Sequence, residues 1–384
     1  MNMFYFEFKK IVSRKIVLAS IALFIVLDIA KIGLIYNQVV VGDSLYKGRQ
    51  IVINQIKGTI TNENLSFVIK NKRELDKLIS DGSFCTEYSE DTYSGYQFGD
   101  RLIFNELYHS LDYAYHYTDN MESVRTKASG NISLFPSNSY ETKKSEKISD
   151  TYRDRKISEF YDTVGFENYL NYDFSALLIL LLLLLIMSPV FSEEAEIKMD
   201  LLISSSPKGK ASSANVKLAV CSLIAVVIPV LFCFLDYIVF DILFHFEGGT
   251  NPLYSIESFM YTPFNITINR YILLSAMLNI IGSVFFCLLF LLFSSLSSRV
   301  LSVFLLGGGA VLLSIIGNDF FNKSIFNNIN PLSIFINRTS INHFNQVNLF
   351  GYPVNALFFL VTLVLMFSLF LTAITLRGKR RFHR

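Results

Sequence analysis

Six long apolar runs limit what this chain can become. They cover residues 16–36, 174–189, 216–240, 271–293, 300–316 and 354–376. About 20 apolar residues in a helix cross ~30 Å of hydrocarbon. In lipid the backbone must satisfy its own hydrogen bonds, so such runs fold as helices. The chain is therefore expected to be an all-α integral membrane protein with six transmembrane helices. Composition agrees: 52% of residues are hydrophobic and only 17% charged, against about a quarter charged in soluble domains. The formal net charge of +2 offers no basic footprint for nucleic acid.

Residues 1–15 read as an amphipathic helix lying on the membrane surface. Phe4, Phe8, Ile11 and Val12 share one face, and Lys9, Lys10, Arg14 and Lys15 supply charge. Residues 16–36 follow as span one. The run is too long for a signal peptide and lacks a small-x-small cleavage site at its end. Residues 37–172 are polar and Tyr-rich, long enough for a small domain, and contain no spanning run.

Leu102, Leu107, Leu111 and Ala114 recur near helical spacing in this insertion. A second helix is expected over 62–76, capped by Thr61 or Asn62 with Glu63 in its first turn. Residues 129–149, rich in Ser, Asn and Lys, read as a loop. Residues 152–172 read as a helix descending to the membrane. Spans two to six occupy 173–376, with a charged loop at 192–215 between the second and third. Segments 244–270 and 318–352 carry many aromatics and read as short helices tucked into one membrane face, Ile325, Phe326, Ile329, Leu332 and Ile336 forming a stripe.

Lys and Arg near span ends set the expected orientation. The N-terminal arm, the 192–215 loop with Lys198, Lys208 and Lys210, Arg299 and the basic tail at 377–384 fall on one side. Arg270, Lys323 and Arg338 are the basic residues in the two shorter loops opposite. Both termini are therefore expected in the cytoplasm, with the mainly helical domain of 37–172 outside a plasma membrane.

The chain has no phosphate-binding loop. Gly209-Lys210 comes nearest, but Ser204 stands five residues earlier where Gly is needed, and Ala211 follows where a hydroxyl would meet magnesium. Neither H-E-x-x-H nor G-x-S-x-G occurs. No catalytic residues or metal ligands are assigned. His109, Asp112 and His116 fall on one helical face, but such a set is most often a solvated polar surface. The four cysteines, three of them in apolar runs, read as small core hydrophobes.

Polar residues inside spans are costly and mark candidate sites. Asp28 and Lys31 interrupt span one, where their spacing suits a pair, and Asp28 is a speculative substrate contact. Asp236 and Asp241 near one end of span three read as interfacial. Ser275, Asn279 and Ser283 share a face of span four and are further substrate-pathway candidates. Gly307, Gly308 and Gly309 in span five permit close packing, within the subunit or across a dimer seam.

The 193–217 segment resembles the permease subunits of type-2 ATP-binding-cassette exporters. Their loop often reads E-E-x-E-x-G-T-x-x-L-L-x-S-x-P-x-x-R, with a Lys at the next span. Here Glu193, Glu194 and Glu196 form the acidic cluster, Leu201 and Leu202 the apolar centre, Pro207 the proline and Lys210 the basic end, followed by Lys217. Lys198 replaces the usual Gly, and Lys210 the usual Arg. The resemblance extends to six spans, an amphipathic helix before the first, and a large insertion between the first and second as in Gram-positive members.

That resemblance implies an export permease without enzymatic activity of its own. Its loop would dock a separate ATPase, present in two copies and holding the ATP and magnesium, and a second permease, identical or homologous, would complete the pathway. An amphipathic peptide or a lipid-like molecule is the implied substrate, as in peptide export or antimicrobial-peptide resistance. The alternative is a membrane-anchored sensor or cell-envelope assembly factor whose outer domain binds a ligand.

Overall fold

The computed structural model describes residues 3–40, 43–83, 85, 87–199, 209–320 and 328–381. Six helical stretches are long and apolar enough to cross a membrane: Lys15–Val39, Val164–Glu196, Ser213–Phe244, Ile268–Leu296, Val300–Gly317 and Ala356–Leu376. Each contains or overlaps one of the expected runs. The chain thus has the architecture of an all-α, multi-pass membrane protein.

Burial sorts the spans. Span two is 72% buried, span four 50% and span three 44%, while spans one, five and six reach only 17%, 17% and 22%. A helix apolar on every side needs protein or lipid all round it. Span two finds protein: Leu182, Leu183 and Met187 share a core with Cys221 and Ala225 of span three and Phe286 and Phe290 of span four. The outer faces of spans one, five and six are left for lipid or another subunit.

Small residues set the closest approaches. A Cβ on Gly307 would run into the Leu184 side chain of span two and lie 3.1 Å from Phe290 of span four. A Cβ on Gly308 would lie 3.8 Å from Leu184, and one on Gly309 would meet nothing within 4 Å. Gly307 therefore packs span five onto its own bundle, and of these three glycines only Gly309 faces open space.

Helix α1 (Met3–Val12) is followed by a turn at Ser13, and Arg14 redirects the chain with extended backbone before α2 (Lys15–Val39), which is span one. Ile11 is buried, and Phe4, Phe8 and Val12 pack partly against the bundle core, so the expected apolar face is used. Glu7 is buried as well.

The insertion contains α3 (Asp43–Ile56), α4 (Asn62–Ser80), α5 (Gln97–Ile132) and α6 (Tyr140–Thr151). Two-residue strands β1 (Gly58–Thr59) and β2 (Glu159–Phe160) pair antiparallel and close it. Thr61 caps α4 as expected, accepting from the Asn64 amide at 3.2 Å. Along α5, Ile103, Phe104, Leu107, Leu111, Ala114, Tyr117 and Met121 are buried, while Leu102 is exposed. The helix is as expected there, with its apolar face shifted by one residue at its start.

Two stretches of the insertion differ from expectation. The stretch at 129–149 is not a loop: α5 runs to Ile132 and α6 begins at Tyr140. Ser139 caps α6, accepting from the Thr142 amide at 3.2 Å, and small polar residues, Thr142 and Ser145, form its buried face. Nor is 152–172 one helix. Asp154 takes a left-handed backbone, φ 57°, and β2 intervenes. Only α7 (Val164–Leu170) leads into α8 (Phe174–Met187).

The insertion rests on the segment joining spans three and four. That segment has two short 3-10 turns, Leu253–Ser255 and Glu257–Phe259, in place of the expected helices. The Tyr113 hydroxyl donates to the Tyr254 carbonyl at 2.7 Å, Tyr152 to the Tyr261 carbonyl at 2.6 Å, and the Arg155 guanidinium to the Thr262 carbonyl at 2.7 Å. Tyr117 stacks on Tyr254 with ring centroids 4.9 Å apart. Between spans five and six lie Leu332–Phe335, Arg338–Ile341 and a hairpin of β3 (Gln346–Leu349) and β4 (Tyr352–Asn355). Leu332 is buried and Ile329 exposed, so the expected stripe holds only in part; Ile325 and Phe326 lie outside the described residues.

Candidate functional site

Two places gather polar side chains. The first is where span two ends. Pro189 has no amide hydrogen and starts a new helix, α9 (Pro189–Glu196), after the break at Ser188. The first amides of a helix lack partners within it. Ser294 of span four supplies them. Its hydroxyl accepts from the Phe191 and Ser192 amides at 3.0 and 3.1 Å and donates to the Ser188 carbonyl at 2.7 Å.

The acidic cluster of α9 is engaged within the chain. Glu194 is buried and ion-paired to Lys217 of span three, itself 1% exposed, and to Lys10 of α1 at 2.9 Å. Glu193 pairs with Arg14. Glu196 is exposed and accepts from the Val300 amide, at the start of span five, at 3.4 Å. One short helix thus ties α1 to spans two, three, four and five.

Beyond α9 the chain turns at Lys198, whose backbone is left-handed, φ 58°. Glycine favours that conformation, and glycine is what the resembling loops carry there. Ile197 and Met199 flank the turn and are 60% and 47% exposed. Leu201, Leu202 and Pro207 lie outside the described residues, as does the Lys210 side chain.

The second place is inside the bundle, toward the insertion. A cavity of about 50 Å³ is lined by Tyr172 and Ser175 of span two, Asp236 of span three, Ser275 and Asn279 of span four, and Asn337. The Tyr271 hydroxyl donates to Asn337 at 2.7 Å, and Asn337 donates to the Ser275 hydroxyl at 2.8 Å. Arg338 also lines it and pairs with Asp173 at 2.9 Å.

Asp28 sits beside this cavity, fully buried. It accepts from the Tyr172 hydroxyl at 2.6 Å. Its expected partner Lys31 is exposed on another side of the helix. Asp236, expected at the interface, is only 5% exposed. Its carboxyl contacts that of Asp28, and Ser175 lines the cavity beside it. Ser275 and Asn279 thus join one site with Asp28 next to it, whereas Ser283 is buried elsewhere in span four and lines none of this cavity.

Sequence reasoning missed the roles of Tyr172, Asp236, Ser294, Lys10 and Arg14. Only Lys217 carried a signal, its position after the acidic loop. On α5, His116 lies 3.6 Å from Asp112 and 3.5 Å from Asp119, all exposed, and no metal-binding group of three or more side chains converges among the described residues.

Comparison with known protein families, curated proteins and solved structures returns no match for this chain.

Proposed function

We propose that the chain is the permease subunit of an ATP-binding-cassette exporter in a plasma membrane, driven by a separate ATPase. The observation that carries this reading is the build of α9. Its cluster is held by cations from α1 and span three, and it ends in a left-handed turn that presents Glu196, Ile197 and Met199. A motor docked on an exposed apolar ledge would push on a helix tied to most of the bundle. In this reading Glu193 and Glu194 brace the coupling element from within, and Glu196 to Met199 meet the ATPase.

Both termini then lie in the cytoplasm and the 37–172 domain outside. The pathway runs between two permeases, along the exposed faces of spans one, five and six, with Gly309 on open surface. Such a seam suits an amphipathic peptide or lipid-like substrate that enters from the bilayer.

Replacing Ile197 and Met199 together by Asp tests the docking ledge. The variant should reach the membrane and fold but purify without ATPase activity from its native membranes. Retention of wild-type activity by the purified variant would contradict the assignment.

A further inference from the structure

We propose that Asp28 and Asp236 form a binding site for a single proton, shared between spans one and three. Asp28 is fully buried and Asp236 is 5% exposed, and each keeps one carboxyl oxygen without a hydrogen-bond donor, Asp28 Oδ2 and Asp236 Oδ1. The two carboxyl groups are in contact. Carboxylates that close and away from water do not both ionise, and a proton held between them supplies the missing donor.

The surroundings offer no alternative charge. The hydroxyls facing the pair are Tyr172 and Ser175, both on span two. Tyr169 of span two and Cys233 of span three stand nearby, and the Cys233 sulfur accepts from the Asn279 amide at 3.5 Å. The cations on neighbouring elements are Lys31, which is exposed, and Arg338, which is engaged with Asp173 and Asn171. Among the described residues neither aspartate has an ion-pair partner. Asp236 faces the 50 Å³ cavity, large enough for water, which gives the proton a route toward the insertion side. Loss of the proton would set two like charges against each other across the seam between span three and the weakly packed span one.

Infrared difference spectroscopy on the full-length chain in lipid nanodiscs reads the carbonyl stretch of a buried carboxylic acid. Near neutral pH the wild type should show one such band, shifted by H₂O-to-D₂O exchange and lost at alkaline pH. The double variant D28N/D236N, which preserves shape and the donor from Tyr172, should lack it. A wild type without the band, or a band unchanged in the double variant, would overturn the proposal. Loss of the wild-type band on adding sodium at constant pH would assign the site to a metal cation and overturn it equally.

Discussion

At the residue scale, Glu194 decides how the α9 end of the bundle holds together. Removing one partner of a buried ion pair strands the other charge and costs about 3–5 kcal/mol, whereas a half-exposed pair is worth about 0–1 kcal/mol. The Lys217 side chain is 1% exposed and that of Lys10 35%. Lys217→Met should therefore lower the thermal midpoint of the purified protein well below that of Lys10→Met. Equal shifts would mean that Glu194 draws no special support from span three. Lys198 allows a second test. A β-branched residue in a left-handed turn is strained, and a non-glycine residue there costs roughly 1–2 kcal/mol. Lys198→Gly should change stability by less than about 1 kcal/mol, since relief of strain is offset by unfolded-state freedom. Lys198→Val should destabilise clearly in the same melting assay.

At the element scale, spans and caps were legible in the sequence because they depend on neighbours in the chain. The apolar runs, the Thr61 cap and the period of α5 all repeat within a few residues. Helix α6 was hidden because it buries Thr142 and Ser145 and so shows no apolar stripe. The Asp28–Asp236 contact was hidden for another reason: its partners come from different spans, and no local pattern connects them. Gly307 follows the same rule. Its tightness comes from Leu184, a residue in another helix. Adding bulk to a packed core costs typically about 1–3 kcal/mol, so Gly307→Leu should destabilise the monomer, while Gly309→Leu should leave folding intact and weaken only a dimer seam. Size-exclusion chromatography beside thermal melting separates the two outcomes.

The helical insertion makes a pH prediction of its own. Burial raises Tyr117 from its ordinary value near 10 to about 12, against the opposing pull of Arg155. Burial also drives Tyr113 and Tyr152 upward. A phenol held protonated by the fold stabilises it fully below about pH 10. That contribution is lost as pH rises toward and through 12. Near-ultraviolet circular dichroism should thus show the tyrosine core loosening in that window, with little change between neutral pH and about 9.

At the scale of the whole molecule, the bundle divides into a buried centre of spans two, three and four and a loose rim of spans one, five and six. A rim so poorly covered by its own chain suits a partner subunit, and the braced α9 suits a motor. Orientation has a direct check. With the exposed native Cys85 replaced by Ser and a membrane-impermeant reagent outside intact cells, a cysteine replacing the exposed Ser137 should label and one replacing Met199 should not. The reverse pattern would invert the topology. The central claim is the assembly itself, and native mass spectrometry of the complex from its native membranes tests it most directly. Two permeases carrying two ATPase subunits are predicted. A single permease copy, or an assembly without any ATPase, would contradict the account.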